Sequence, residues 1–124
     1  MSDLPVLARA RSHAERIAFH TVGATHTYQH LLDRSAAIAF ALLDGADDLR
    51  EARIAVLVTP GPDYTSAQWA VWRAGGIMLP LSASAAEREW EHALTDAQVS
   101  VVIADAAHAA KLAPLCDRRG VRLM

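Results

Sequence analysis

Residues 53–81, RIAVLVTPGPDYTSAQWAVWRAGGIMLPL, constrain the fold more than any other part of this sequence. An apolar run is followed by a proline-rich turn, a segment with helical spacing, the pair Gly75-Gly76 and a second apolar run. Nearly continuous apolar strands are typical of a parallel sheet that helices cover on both faces. The stretch therefore predicts one βαβ unit inside an α/β domain, with Pro62 at the first helical position and the glycine pair at the helix end.

The residues before this unit predict a leading helix, a hairpin and a long helix. Residues 4–14 have the pattern of a short helix, and residues 17–27 alternate as two strands broken at Gly23. Thr27 is a suitable N-cap for a helix that runs to about Leu43, where Gly45 can stop it. Apolar residues recur in this helix at spacings of three and four, so we expect one of its faces to pack inward.

The residues after the unit continue the alternation of helix and strand. Ser84 and Glu87 fit a capping box at the start of a helix, and a strand at 99–104, a helix at 106–116 and a last strand from Val121 follow. Because crossovers between parallel strands are right-handed, this order predicts a doubly wound, three-layer fold with a mostly parallel sheet and helices on both faces. The chain is expected to form one partial domain over residues 1–124, which stops in the middle of the fold.

Composition excludes several classes of function. The sequence has 12 basic and 14 acidic residues, a net charge of −2, which does not favour nucleic-acid binding. The longest apolar run, 36–43, is far shorter than the roughly 20 residues that span a bilayer, so no membrane segment is expected. With Cys116 as its single cysteine the chain can form no internal disulfide, which favours a cytoplasmic location and a buried structural thiol.

A search for a phosphate-binding or metal-binding motif finds weak candidates. In the turn Thr59-Pro60-Gly61-Pro62 two of four residues lack the backbone N–H that a phosphate cradle needs. His26 and His30 have the spacing of paired metal ligands, but His26 precedes the N-cap and no further ligand is near in the sequence. The sequence therefore predicts neither site.

Other residues with possible chemistry have simpler structural interpretations. Asp105 follows a predicted strand, as a phospho-acceptor would, but no acidic pair accompanies it at the end of the first parallel strand. Glu87 and Glu91 are expected on one solvated helix face, which does not give two separately tuned carboxyl groups. The three tryptophans are expected to pack in the core: they are Trp69, Trp72 and Trp90. No catalytic, cofactor-binding or metal-binding residue is predicted.

Several segments together resemble one enzyme family. Four segments resemble, in their order and spacing, the N-terminal part of AMP-forming acyl-CoA synthetases, which are members of the adenylate-forming superfamily. The segments are Thr27-Tyr28-Gln29-His30-Leu31, Arg53-Ile54-Ala55-Val56-Leu57, Ala74-Gly75-Gly76 and Pro80-Leu81. The resemblance extends over residues 14–124. The segments 48–53, 67–72 and 94–102 most resemble malonyl-CoA synthetase-like members. Glu51-Ala52-Arg53 departs from the Gly-Asp-Arg of the family at a turn.

The resemblance implies a reaction for a longer protein. Members activate a carboxylic acid with ATP and Mg²⁺ to an acyl adenylate and then transfer the acyl group to coenzyme A. The phosphate loop, the ribose-binding aspartate and the catalytic lysine of the family match nothing here, and Lys111 lies in the wrong context to replace a lysine. We therefore expect an inactive N-terminal fragment that binds none of these ligands alone and whose partner is the remainder of the same polypeptide.

Two further expectations concern partners. If an edge strand of a truncated sheet is exposed, the fragment should self-associate through it, because unpaired backbone groups accept another strand. The alternative to the ligase is a free-standing, non-enzymatic α/β module that binds a partner through the same kind of edge.

Overall fold

The computed structural model describes residues 4–124 and contains the predicted succession of helices and strands. The helices are α1 Pro5–Ser12, α2 Tyr28–Leu43, α3 Pro62–Arg73, α4 Glu87–Asp96 and α5 Ala106–Arg119; the strands are β1 Ile17–Thr21, β2 Ala24–Thr27, β3 Arg53–Leu57, β4 Ile77–Pro80, β5 Val101–Ala104 and β6 Arg122–Leu123. Boundaries differ from the predicted ones by a few residues, most at α5, which continues past Cys116 to Arg119.

Four parallel strands form the main sheet in the order β4-β3-β5-β6, and β1 pairs with β2 as a separate antiparallel hairpin. The chain leaves β3 to one side for β4 and then crosses to the other side of β3 for β5. The predicted doubly wound parallel sheet is confirmed.

Helices cover both faces of this sheet. On one face α2 and α3 pack on Ile54, Val56 and neighbouring residues of β5, and on the other face α4 and α5 pack on Ala55, Leu57 and Val102. These strand side chains are almost completely buried. Alternate residues of β3 enter opposite cores, which explains why its sequence is apolar without interruption. The predicted three layers are confirmed.

A third, smaller core lies away from the sheet. It joins α1, α2 and α3 through Leu7, Leu31, Leu32 and Trp69. Buried Ser35 and the Leu32 carbonyl of α2 both accept from Nη1 of Arg73 in α3, each at 2.9 Å. Because Leu7 of α1 lies in this third core, the leading helix is part of the folded body.

Helix ends test the predicted capping residues. The Thr27 side chain accepts from the His30 N–H, and α3 begins at Pro62, as predicted. At the end of α3, Gly75 has a φ of +85° and the N–H of Gly76 donates to the carbonyl of Val71, a Schellman ending. The Ser84 capping box is wrong: the N-cap of α4 is Ala86, and the hydroxyl of Ser84 pairs with Ser82 instead.

The tryptophan prediction is right for two residues of three. Trp69 and Trp90 are buried, and the indole N–H of Trp90 donates to the Ser82 carbonyl at 2.8 Å. Trp72 is 39% exposed, which contradicts its predicted core position. Its neighbours Trp69 and Val71 take the inward directions on α3, so Trp72 lies beside the sheet edge. Among residues 4–124, no helix has the length and apolar character needed to cross a bilayer.

Candidate functional site at the carboxyl edge of the sheet

The strand order creates a crevice between β3 and β5. The turn after β3 leads to α3 on one face of the sheet, and the turn after β5 leads to α5 on the opposite face. Two neighbouring turns that leave in opposite directions open a crevice at the carboxyl ends of their strands, where ligands of doubly wound folds bind. This crevice is the candidate site that the fold itself designates.

Asp105 occupies the crevice and joins its two sides. Its Oδ2 accepts from the backbone N–H of Thr59, in the turn after β3, at 2.7 Å. Its Oδ1 lies 2.6 Å from Nδ1 of His108, in the first turn of α5. The side chains of Asp105 and His108 are 23% and 17% exposed, so the pair lies near the surface but is largely covered.

These contacts determine the charge of the crevice. The backbone hydrogen bond from Thr59, with smaller contributions from His108, lowers the pKa of Asp105 to about 2, against the opposing effect of burial. The carboxylate is therefore ionised at neutral pH. It lies where a phosphate would need positive potential and already uses the Thr59 N–H that a cradle would provide.

The crevice consequently does not fit a nucleotide or Mg²⁺. Both carboxylate oxygens of Asp105 have protein partners, and Pro60 and Pro62 contribute no N–H to the turn. Within residues 4–124 no three His, Cys, Asp or Glu side chains are grouped so that they could hold a metal ion. What the Asp105 carboxylate can do is fix the two turns of the crevice relative to each other, because it accepts from Thr59 across the crevice while His108 holds it on its own side.

The other residues considered from the sequence lie apart from this crevice. His26 lies in β2 and His30 at the start of α2, with ring centroids 5.0 Å apart. Glu87 and Glu91 share one outer face, as predicted, and both contact Nη2 of Arg118, at 3.2 and 3.4 Å. Cys116 is buried, which raises the pKa of its thiol and confirms the structural interpretation.

Sequence reasoning missed the contacts of Asp105. The three-residue separation of Asp105 and His108 at a helix start is a signal that could have suggested their pairing. Thr59 is 46 residues away from Asp105, and nothing local links them. Their contact depends on β3 and β5 being neighbours, which follows from strand order and not from sequence distance.

Comparisons with known proteins agree with this fold. The family model described as AMP-binding enzyme matches residues 6–123. The mitochondrial malonate–CoA ligase ACSF3 of Mus musculus is 35% identical over 126 residues, which cover 98% of this chain and 22% of the relative. The chain thus spans about a fifth of the length of the curated relatives that it matches.

Solved structures give the same result for the fold. Apo MatB from Rhodopseudomonas palustris has a TM-score of 0.77 at 23% identity, with 95% of this chain and 24% of that chain covered. VinN in complex with 3-methylaspartate has a TM-score of 0.77 at 27% identity, and the match covers 95% of this chain and 32% of that chain. The family model matches nearly every residue of the described structure, and this chain belongs to the AMP-binding enzyme family.

Proposed function

We propose that this chain is the N-terminal portion of an AMP-forming acyl-CoA synthetase of the malonate–CoA ligase type. In the whole protein a carboxylate attacks ATP to give an acyl adenylate and pyrophosphate, and the thiol of coenzyme A then displaces AMP to give a thioester. The observation that carries this proposal is the 35% identity with a malonate–CoA ligase along 98% of the chain.

The part of this chain in that reaction is structural. Residues 1–124 form one partial domain of the large AMP-binding unit, and its carboxyl-edge crevice contains the anionic Asp105 in place of a phosphate cradle. ATP, Mg²⁺, coenzyme A and the carboxylic acid are bound by the remainder of the same polypeptide. The isolated chain is catalytically inactive, and its location is cytoplasmic; the mitochondrial name of the mouse relative concerns that protein.

The test compares the whole coding sequence with the isolated chain. Release of AMP that requires both coenzyme A and a carboxylic acid is expected from the whole protein, with malonate preferred over acetate and succinate. The isolated 124-residue chain is expected to release none and to give no heat with Mg²⁺-ATP in a calorimetric titration. Micromolar ATP binding by the isolated chain would contradict the structural role, and a whole protein without ligase activity would favour the free-standing module.

The isolated chain is also proposed to self-associate at an exposed edge of its sheet. Both β4 and β6 are edge strands within the described residues, each with a neighbour on one side. Unpaired edges and the apolar side chains beside them favour association with another chain.

A further inference from the structure

The segment that links α2 to β3 begins with Asp44-Gly45, the only aspartate–glycine pair in the sequence. Asp44 is the C-cap of α2 and has a φ of 47° and a ψ of 46°, in the left-handed region. Gly45 follows with a φ of +91°, and no atom lies within 4 Å of the position that a Cβ would occupy. Both residues are exposed. The pair is therefore a strained and uncovered turn at the end of the helix.

Two groups of this pair that can react with each other are not engaged elsewhere. Among residues 4–124, no hydrogen bond or ion pair holds the carboxyl group of Asp44, and the N–H of Gly45 has no acceptor. The turn itself is closed by the N–H of Ala46, which donates to the carbonyl of Leu43 at 2.9 Å. Because glycine has no side chain, nothing hinders the approach of its nitrogen to a neighbouring carboxyl group.

We propose that Asp44 is a site of spontaneous isomerisation, at which the backbone passes through a cyclic imide to isoaspartate. The nitrogen of Gly45 forms a bond to Cγ of Asp44 in its carboxylic acid form. The Cγ–OH bond breaks, and the hydroxyl leaves as water with the hydrogen of the Gly45 N–H. Water then opens the five-membered ring: cleavage of the bond from the nitrogen to Cγ restores aspartate, and cleavage of its bond to the backbone carbonyl carbon gives isoaspartate.

The native turn must open before this ring can close. A ψ of 46° at Asp44 directs the nitrogen of Gly45 away from the Asp44 side chain. Leaving the left-handed conformation brings the two groups together and breaks the hydrogen bond between Ala46 and Leu43. It also releases the strain that a residue other than glycine carries there, and the two effects are of similar size. Opening is therefore local and does not require the core to unfold.

The other aspartates that the structure describes lack this combination. Four of them lie in helices, where the backbone is fixed: Asp33, Asp63, Asp96 and Asp117. The carboxylate of Asp105 is held by Thr59 and His108, and Oδ1 of Asp48 accepts from the N–H of Arg50 at 2.7 Å. Asp47 is exposed, but the residue after it has a side chain. We therefore expect isoaspartate at Asp44 before any other position.

The connection around Asp44 has room for the product. Isoaspartate lengthens the backbone by one methylene group and leaves a free α-carboxylate at the surface. Residues 44–48 are exposed, and the next long-range backbone hydrogen bond along the chain is that of Leu49, whose N–H donates to the carbonyl of Ala74 at 2.8 Å. The modified chain is therefore expected to stay folded, with its isoaspartate accessible to carboxyl methyltransferases that recognise this residue.

Incubation of the 124-residue chain at neutral pH and physiological temperature tests the proposal. An isoaspartate-specific carboxyl methyltransferase with labelled S-adenosylmethionine measures the product, and an endoproteinase that cleaves before aspartate but not before isoaspartate locates it. A synthetic peptide of residues 40–50 gives the rate of an unstructured chain. Since one hydrogen bond changes an equilibrium by at most about tenfold, the folded chain should react within about tenfold of the peptide. Asp44→Glu, which would need a six-membered ring, should remove the product, whereas Asp47→Glu should not.

The dependence of the rate on urea separates opening of the turn from unfolding of the chain. Urea well below the unfolding midpoint should leave the rate unchanged, because opening the turn exposes little surface. A rate below the tenfold limit, undiminished product in Asp44→Glu, or a rate that follows the unfolded fraction would each overturn the proposal. None of these results bears on the ligase proposal or on self-association.

Discussion

Replacing Asp105 with asparagine should destabilise the fold in a way that depends on pH. The carboxylate joins the turn after β3 to the start of α5 through Thr59 and His108. Asparagine has nearly the same shape and keeps one oxygen that can accept from Thr59. It loses the negative charge and the second acceptor, so it cannot accept from Nδ1 of His108 as the carboxylate does.

The magnitude follows from the pKa of Asp105. A decrease from the ordinary value of 3.8 to about 2 corresponds to roughly 2 kcal/mol of folding free energy. Because the carboxylate lies near the surface, solvent screening reduces this to about 1–2 kcal/mol. The pKa is lower in the folded state than in the unfolded state. The contribution is therefore complete above pH 3.8 and disappears as the pH falls toward 2.

The assay is urea unfolding followed by the fluorescence of the buried tryptophans at pH 7, 5 and 3. Asp105→Asn should lower the free energy of unfolding by about 1–2 kcal/mol at pH 7 and 5 and by clearly less at pH 3. The exposed loop residue Asp47 provides a matched control, since Asp47→Asn should change little at any pH. An equal loss at pH 7 and pH 3 would refute the assignment of this stability to the ionised carboxylate.

Three further predictions concern backbone conformation and the thiol. Glu51 has a φ of +64°, so Glu51→Gly should stabilise the fold by roughly 0.5–1 kcal/mol in urea unfolding, whereas Ala52→Gly next to it should destabilise. Gly75→Ala should lower the free energy of unfolding by roughly 2–3 kcal/mol and lower the melting temperature, since the new Cβ would overlap the carboxylate of Asp48. Gly23 has a similar φ but open space around it, so Gly23→Ala should lower the free energy of unfolding by about 1 kcal/mol. Equal losses for the Gly75 and Gly23 variants would disprove the clash at Gly75. Cys116 should react with a thiol reagent only as fast as the chain unfolds, and rapid labelling at neutral pH would contradict its burial.

The architecture could be predicted because buried parallel strands have an unmistakable composition. Residues 54–57 of β3 are at most 2% exposed, and their uninterrupted apolar sequence reflects helices on both sides. Thr27 and Pro62 were predictable helix starts because their effects are local. Ser84 was not, since the chain reaches α4 through a turn in which two serines pair, and the helix begins without a side-chain cap.

The candidate site could be predicted only in part. The order of helices and strands predicts a doubly wound sheet, but the position of the crevice and the residue in it both depend on the strand order in space. Asp105 was recognised as a strand-end carboxylate, while its partner Thr59 becomes adjacent only when β5 inserts beside β3. Trp72 was assigned to the core because helical spacing identifies a face but not where the sheet beneath it ends.

The position of β5 beside β3 also affects how the polypeptide is made. During synthesis β3 and β4 emerge first, together with the helices of one face. One long side of β3, and the sheet surface that α4 and α5 later cover, stay bare until the chain has been extended through residue 119. At roughly 5–20 residues per second this interval lasts several seconds. Nascent chains of this protein should therefore depend on chaperones that shield apolar surface during that interval.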